Sequence, residues 1–150
     1  MIGTKRLVPL LKRAQDKQDT VARQMGERQK VLDTHTQRLQ ELRQYTDEYL
    51  QAPLAGINTA ALINRRAFLD RLESAVKLQA QTVERNRQLV EAERQRLIAA
   101  SREFQVLQTL NERYQEQERA QADRRDQRVL DDLGARLATQ ARQASTEETR

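Results

Sequence analysis

The stretch LRQYTDEYLQAPLAGINTAALINRRAFLDRL, residues 42–72, decides the fold. Its middle, residues 51–58, contains Pro53 and Gly56, and long polar segments with regularly spaced apolar residues lie on either side. Proline disfavours helical geometry at the residue before it, and glycine readily supplies the positive φ that ends many helices. The stretch therefore predicts a tight turn between two helices.

The two helices are predicted from the spacing of the apolar residues outside this turn. Apolar side chains recur at alternating intervals of four and three residues from Leu7 to Tyr49, and the same pattern runs from Leu69 to Tyr114. This spacing is typical of a coiled-coil seam. Helices joined by a short loop run antiparallel, so the sequence predicts an antiparallel hairpin.

The predicted fold is all-α, a single coiled-coil domain over residues 1–150 whose second helix is longer than its first. Pro9 fits best in the first turn of a helix, where its missing N–H is not needed. The predicted elements are a first helix over about residues 7–50, a tip over 51–58 in which Asn58 or Thr59 can cap the next helix, a second helix over about 59–137, and a disordered C-terminal tail over 138–150.

The pairing of the helices is predicted by counting outward from the centre of the turn. This count pairs Leu42 with Leu72 and Leu7 with about Val106, and it leaves residues 111–137 without an intramolecular partner. We therefore expect an elongated rod with one unpaired end. Polar seam residues weaken the core but can fix register, and they are Gln18, Arg28 and His35.

The composition agrees with long helices. Charged residues make up 33% of the chain and aromatic residues 3%, and only four glycines and two prolines are available for turns. The absence of cysteine excludes disulfides and thiolate metal sites. No run approaches the ~20 apolar residues of a membrane span. We expect a cytoplasmic protein.

An aromatic cluster near the turn is the first candidate binding site. Tyr45 and Phe68 lie off the seam, at flanking positions that coiled coils usually fill with charged residues. They are equidistant from the turn, so antiparallel pairing places them on one side, together with Ala75. Apolar patches on polar helices mark interaction sites. The alternative is local overpacking, or a stammer in the coiled coil, near the turn.

The unpaired C-terminal segment is the second candidate. Val129, Leu130, Leu133 and Leu137 renew an apolar stripe where the first helix no longer reaches. Such a helix can dock into a groove or channel of another protein. The alternative is a frayed or self-associating helix.

The basic residues are a third feature. Lys5 and Arg6 lie near the N-terminus, and Arg124, Arg125 and Arg128 lie near the C-terminus. The sequence pI near 10.0 is compatible with nucleic acid or an acidic surface. However, the 27 basic and 22 acidic residues are interspersed, and solvated coiled-coil faces explain most of them.

Nothing in the sequence predicts an enzyme, a metal site or a cofactor. The single histidine, His35, falls on the seam, where a structural polar residue is favoured over a ligand. The chain has no glycine-rich phosphate loop, no metal-ligand spacing and no nucleophile–base–acid set.

Three motifs carry a resemblance to a known family, in the same order along almost the whole chain. They are LRQYTDEYLQ at residues 42–51, Gly56 followed by Phe68, Leu69 and Leu72, and Glu112-Arg113 followed by RRDQRVLDDL at residues 124–133. In these motifs the chain resembles the FliJ family, small coiled-coil components of the bacterial flagellar type III export apparatus.

The resemblance implies a non-enzymatic stalk, similar to the γ subunit of rotary ATPases. Such a stalk enters the pore of a hexameric export ATPase, links it to the cytoplasmic domain of the export gate and escorts export chaperones. The resemblance implies that nucleic acid is not a partner. It also implies a cytoplasmic location at the flagellar base, where the protein is peripheral to the inner membrane through its partners. Two alternatives stay open: the equivalent stalk of a virulence type III secretion system, and a generic coiled-coil adaptor or basic nucleic-acid-binding rod.

The resemblance also implies which residues bind these partners. The gate-docking surface matches at Leu42, Tyr45, Tyr49, Phe68, Leu72 and Ala75, with two further positions at Arg38 and Gln79. For the ATPase we expect contacts from the end opposite the turn, through Lys5, Arg6, Arg124, Arg125, Arg128, Leu130 and Leu133.

Overall fold

The computed structural model describes residues 2–149, and it contains two α-helices, α1 (Ile2–Gln51) and α2 (Thr59–Glu148). No strand occurs within these described residues. The predicted all-α fold with a longer second helix is confirmed. Met1, and Arg150 at the end of the predicted tail, lie outside the described residues.

The turn has the chemistry that its sequence predicts. Helix α1 ends at Gln51, before Pro53, and Gly56 adopts a positive φ of 82°. Asn58 caps α2, because its side-chain Oδ1 accepts a hydrogen bond from the backbone N–H of Ala61 at 2.8 Å. This bond satisfies one of the N–H groups that a helix start leaves without a partner, which stabilises a helix by about 1 kcal/mol.

The chain divides into two units, each with a segment of both helices. The hairpin unit comprises residues 14–102 and includes the turn, and the terminal unit comprises the residues up to 13 together with those from 103 onward. The prediction of a single domain stays a prediction.

The core of the hairpin unit lies between Leu32 and Leu39 of α1 and Val83 and Val90 of α2, which are all buried. Val76 and Ala80 pack against this cluster and are partly buried. Burying a leucine or valine side chain fully stabilises a fold by about 1.5–3 kcal/mol. The core is one row of side chains deep, as expected for two helices that bury a single stripe each.

The predicted seam residues of both helices are buried or partly buried, with one exception. Arg28 is exposed, and the neighbouring Gln29 is partly buried in its place. The seam returns to its predicted position at Leu32, so the exchange of Arg28 for Gln29 is a local deviation from the four-three spacing. A long charged side chain is thereby released to solvent.

Polar seam residues are satisfied by hydrogen bonds between the two helices of the hairpin unit. Gln79 donates from Nε2 to the backbone oxygen of His35 at 3.0 Å, and the same nitrogen lies 3.2 Å from His35 Nδ1. Gln18 donates from Nε2 to Ser101 Oγ at 3.2 Å. These pairs confirm that the helices run antiparallel within this unit.

The first helix begins earlier than the sequence predicted, at Ile2 rather than near residue 7, and Pro9 lies inside it. An internal proline costs a helix about 3 kcal/mol. Contacts within the terminal unit oppose this cost. Thr4 Oγ1 donates to the carboxylate of Glu118, and the Gly3 backbone lies so close to Tyr114 that a Cβ would stand 3.1 Å from its ring.

These contacts correct the predicted pairing in the terminal unit. Leu7 is buried, whereas Val106 is 66% exposed, so the predicted pairing of these two residues is wrong. Asn111 and Glu118 are partly buried, and the unpaired segment therefore begins after Glu118 and not at Asn111. Counting from the turn failed because pairing is not symmetric about it: Gln18 meets Ser101, five residues beyond the position that the His35–Gln79 pair predicts.

The predicted disordered tail is helical up to Glu148. Residues 138–148 are rich in alanine, glutamine, arginine and glutamate, which have high helix propensity, and contain no proline or glycine. Every residue from 119 to 149 is exposed, so this part of α2 has no tertiary packing within the described chain.

Candidate functional site

The aromatic residues predicted to lie on one flank do meet in the hairpin unit. The rings of Tyr45 and Phe68 are 6.4 Å apart between centroids and nearly perpendicular, at 85°. The rings of Tyr49 and Phe68 are 4.8 Å apart at 63°. Edge-to-face pairs of this kind contribute about 0.5–1.5 kcal/mol beyond the burial of their area. We call these three residues the aromatic flank.

The aromatic flank presents its outer edge to solvent. Tyr45 is 50% exposed, while Tyr49 and Phe68 are partly buried beneath it. An exposed tyrosine held against a fixed ring loses little side-chain entropy on binding, and its hydroxyl can find a polar partner. The flank can therefore serve as a preformed contact surface for another protein.

Arg65 fixes the base of the aromatic flank, and it was not among the residues expected from the sequence. Its Nη2 donates to the backbone oxygens of Tyr49 and Leu50, both at 3.0 Å, and its Nη1 donates to Ala52 O at 3.2 Å. The guanidinium carbon lies 5.4 Å from the centroid of the Tyr49 ring, a cation–π distance. One side chain of α2 thus satisfies the carbonyl groups that the end of α1 leaves open. The sequence feature that could have indicated this role is a positively charged residue shortly after the turn, because the C-terminus of a helix attracts positive charge.

The other predicted gate residues differ in accessibility. Leu42 and Ala75 are partly buried beside the flank, and Arg38 is exposed. Leu72 is only 8% exposed, so it packs in the core and can support the flank but offers little surface to a partner. Gln79 is partly buried and is already hydrogen bonded to His35. The most accessible residues of the predicted surface are therefore Tyr45 and Arg38.

The second candidate surface lies in the terminal unit. The apolar residues of its stripe are all exposed, and they are Val129, Leu130, Leu133 and Leu137. The predicted basic residues are exposed as well, and they are Lys5, Arg6, Arg124, Arg125 and Arg128. Glu118, which contacts Thr4, is the last residue of α2 that is partly buried. The basic residues near the C-terminus lie beyond it, so the structure does not bring them into contact with Lys5 and Arg6.

A further apolar surface, at the turn itself, was not singled out from the sequence. Its residues are the exposed side chains of Leu50, Leu54, Leu62 and Ile63, which we call the apolar tip. The signal that could have revealed it is the absence of any charged residue from 49 to 64, in a chain that is 33% charged.

Metal-binding and membrane-spanning features are absent from the described part of the chain. Within residues 2–149, no group of three or more His, Cys, Asp or Glu residues is arranged to hold a metal ion. Neither of the helices there combines the length and the apolar content that crossing a bilayer requires.

Comparison with known proteins identifies a family for this chain. The sequence matches the family model of FliJ, described as flagellar FliJ protein, over residues 4–143. No curated protein and no solved structure matches the chain. The family match includes the aromatic flank, the apolar tip and the exposed stripe of α2.

Proposed function

Because the chain belongs to the flagellar FliJ family, whose members are non-enzymatic export components with a role in flagellar export, we propose that it couples the hexameric export ATPase to the export gate. In this proposal it also escorts export chaperones. It works in the cytoplasm at the flagellar base, and it reaches the membrane only through its partners.

The aromatic flank is the observation that carries this proposal. It combines an accessible tyrosine, two rings that hold it in place and an arginine that fixes the backbone beneath it. Aromatic and arginine side chains of this kind dominate the energy of many protein interfaces. We propose that the cytoplasmic domain of the export gate binds here, with Tyr45 and Phe68 as the main contacts and Leu42, Tyr49 and Ala75 at the edge.

The exposed stripe of α2 supports the ATPase half of the proposal. An amphipathic helix without an internal partner can lay its apolar face into a groove or channel of another protein. Leu130 and Leu133 provide the apolar contacts, and Arg124, Arg125 and Arg128 provide positive charge close by.

The test of the gate contact is a pair of variants, Tyr45→Ala and Phe68→Ala, in the full-length protein. Each should weaken binding to the purified cytoplasmic domain of the export gate by about tenfold or more, as expected for an aromatic residue at the centre of an interface. Binding is measured by calorimetry, and helicity by circular dichroism. Leu89→Ala is the control, because Leu89 is 42% exposed in the hairpin unit and lies farther along α2 from the gate-docking surface.

Binding to the ATPase is measured with the same variants. It should not change for Tyr45→Ala or Phe68→Ala, whereas Leu130→Ala combined with Leu133→Ala should reduce it. If both aromatic variants bind the gate domain as well as the unaltered protein does, the assignment of the gate site is wrong.

A further inference from the structure

The apolar tip lies at the end of the aromatic flank but is chemically different from it. Residues 49–64 contain no Asp, Glu, Lys, Arg or His. Within this stretch the apolar tip exposes four aliphatic side chains, with exposed fractions from 45% for Leu62 to 64% for Ile63. A run of exposed aliphatic residues without any charge is unusual on a protein surface and marks an interaction site.

The exposed side chains are distributed around the tip and do not form one face. Leu50 lies in the last turn of α1, Leu54 lies in the loop, and Leu62 and Ile63 are neighbours in the first turns of α2. Adjacent helical residues project about 100° apart. A flat partner could therefore cover only part of this surface, whereas a concave one could cover all of it.

Part of the backbone of the tip is hydrogen bonded within the chain. Arg65 satisfies the backbone oxygens of Tyr49, Leu50 and Ala52. Asn58 accepts from the start of α2, and the N–H of Ile57 donates to the oxygen of Leu54 at 3.4 Å. Burying polar groups that lack partners is costly, so these bonds lower the cost of enclosing the tip at the groups that they pair. The same bonds restrict the loop before binding.

We infer that the apolar tip seats in a concave apolar socket of a partner protein, as a second contact separate from the aromatic flank. The inference rests on the proposed function for the identity of that partner, which is the cytoplasmic domain of the export gate. Leu50 directly follows Tyr49, so a partner that holds the flank also lies within reach of the tip.

Two other occupants fit the tip less well. A second copy meeting tip to tip would bury only part of a patch of a few hundred Å², which is less than the about 1,200 Å² of a specific interface. A lipid surface is usually bound through Trp, Tyr, Lys or Arg residues at the bilayer boundary. Residues 50–64 contain none of these four, and of the adjoining ones Tyr49 and Arg65 pack on each other while Arg66 is exposed.

The test uses two neutral substitutions in the full-length protein, Leu54→Gln and Ile63→Gln, with Val106→Gln as the matched control. Ile63 is 64% exposed and Val106 is 66% exposed, but Val106 lies in the terminal unit. Each tip variant should bind the gate domain about tenfold more weakly, because one buried aliphatic contact is lost. The control should bind like the unaltered protein, and circular dichroism should show the same helicity for all four proteins.

Each other outcome overturns the inference in a recognisable way. Equal affinity of the tip variants and the unaltered protein would remove the tip from the interface and leave the flank unaffected. Co-sedimentation with vesicles of anionic phospholipid that Ile63→Gln abolishes would identify a lipid site instead. Sedimentation as a dimer that Ile63→Gln dissociates would identify self-association. If the unaltered protein itself binds neither the gate domain nor the ATPase, the proposed function fails, and the partner named for the tip fails with it.

Discussion

The turn end of the hairpin unit and residues 119–148 of α2 are both helical, but for different reasons. At the turn, Asn58 caps α2, Arg65 closes the end of α1, and aromatic rings from both helices pack on each other. From 119 to 148, every side chain is exposed, and side-chain hydrogen bonds join residues along the same helix, as from Gln127 to Asp131 at 3.2 Å. One region is held by tertiary contacts and the other by local propensity.

This difference indicates what each region offers a partner. A surface held by tertiary contacts is already in its binding conformation, so little entropy is lost when it is recognised. A helix without packing is marginal when isolated, and a partner that covers its apolar stripe also stabilises its helical conformation. We expect recognition of shape at the turn and coupled ordering along the stripe.

The largest contrast between the two regions should come from identical leucine truncations. Leu39→Ala removes a side chain that is 7% exposed in the core, and should lower the free energy of unfolding by about 2–4 kcal/mol. Leu137→Ala removes an exposed side chain and should change it by less than about 0.5 kcal/mol. Urea denaturation measures both. Similar losses would mean that the stripe of α2 is packed in solution.

A smaller effect is expected from Arg65→Ala. The substitution removes the Arg65 donors from three backbone oxygens, of which only Tyr49 O keeps another recorded donor, the N–H of Ala52 at 3.3 Å. It should destabilise the protein by about 1–2 kcal/mol, since the site is partly open to water. Hydrogen exchange should accelerate at the end of α1. Arg65→Lys is the control, because it keeps the charge but lacks the planar fork. Full stability of the lysine variant would mean that charge alone closes α1.

The same glycine-to-alanine substitution should have opposite signs in the two regions. Gly56→Ala forces a side chain into a φ of 82° and should destabilise the turn by about 1 kcal/mol. Gly134 lies within α2, and no packed atom lies within 4 Å of the position that a Cβ would occupy, so Gly134→Ala should stabilise the helix by about 0.5–1 kcal/mol. Denaturation measures the first, and helix content by circular dichroism measures the second. Two changes of the same sign would contradict this explanation.

The smallest effect should follow from deleting residues 122–150. The deletion keeps Glu118 and its contact with Thr4. The free energy of unfolding, measured in urea, should therefore change by less than about 0.5 kcal/mol. The loss of helical signal should correspond to the deleted residues alone. A large loss of stability would show that this segment packs on the rest of the chain.

Much of the fold near the turn could be predicted from the sequence, because local rules decide it. Proline and glycine set the turn, a polar side chain caps the second helix, and the three-four spacing predicted the seam. The same spacing put Tyr45 and Phe68 on one side, and their rings are in contact. The role of these residues in binding stays a prediction.

The remainder depends on contacts that spacing does not encode. Helix α1 begins at Ile2 despite Pro9, because Thr4 and Gly3 pack against distant residues of α2. Arg65 spans the turn with a long, flexible side chain, and its three acceptors could not be assigned before the helix ends were placed. The apolar tip was missed because its residues follow no regular spacing, and its signal is a missing charge.

The hydrogen bond between Gln79 and His35 has a spectroscopic consequence. His35 is the only histidine in the chain, so the protein has a single imidazole resonance set. Gln79 Nε2 donates to the backbone oxygen of His35 and lies 3.2 Å from its Nδ1, an arrangement that corresponds to the tautomer with the proton of the neutral ring on Nε2. Nitrogen-15 spectra distinguish the two tautomers. One ring can therefore report whether the helices keep their alignment when partners are added, without any label attached to either surface.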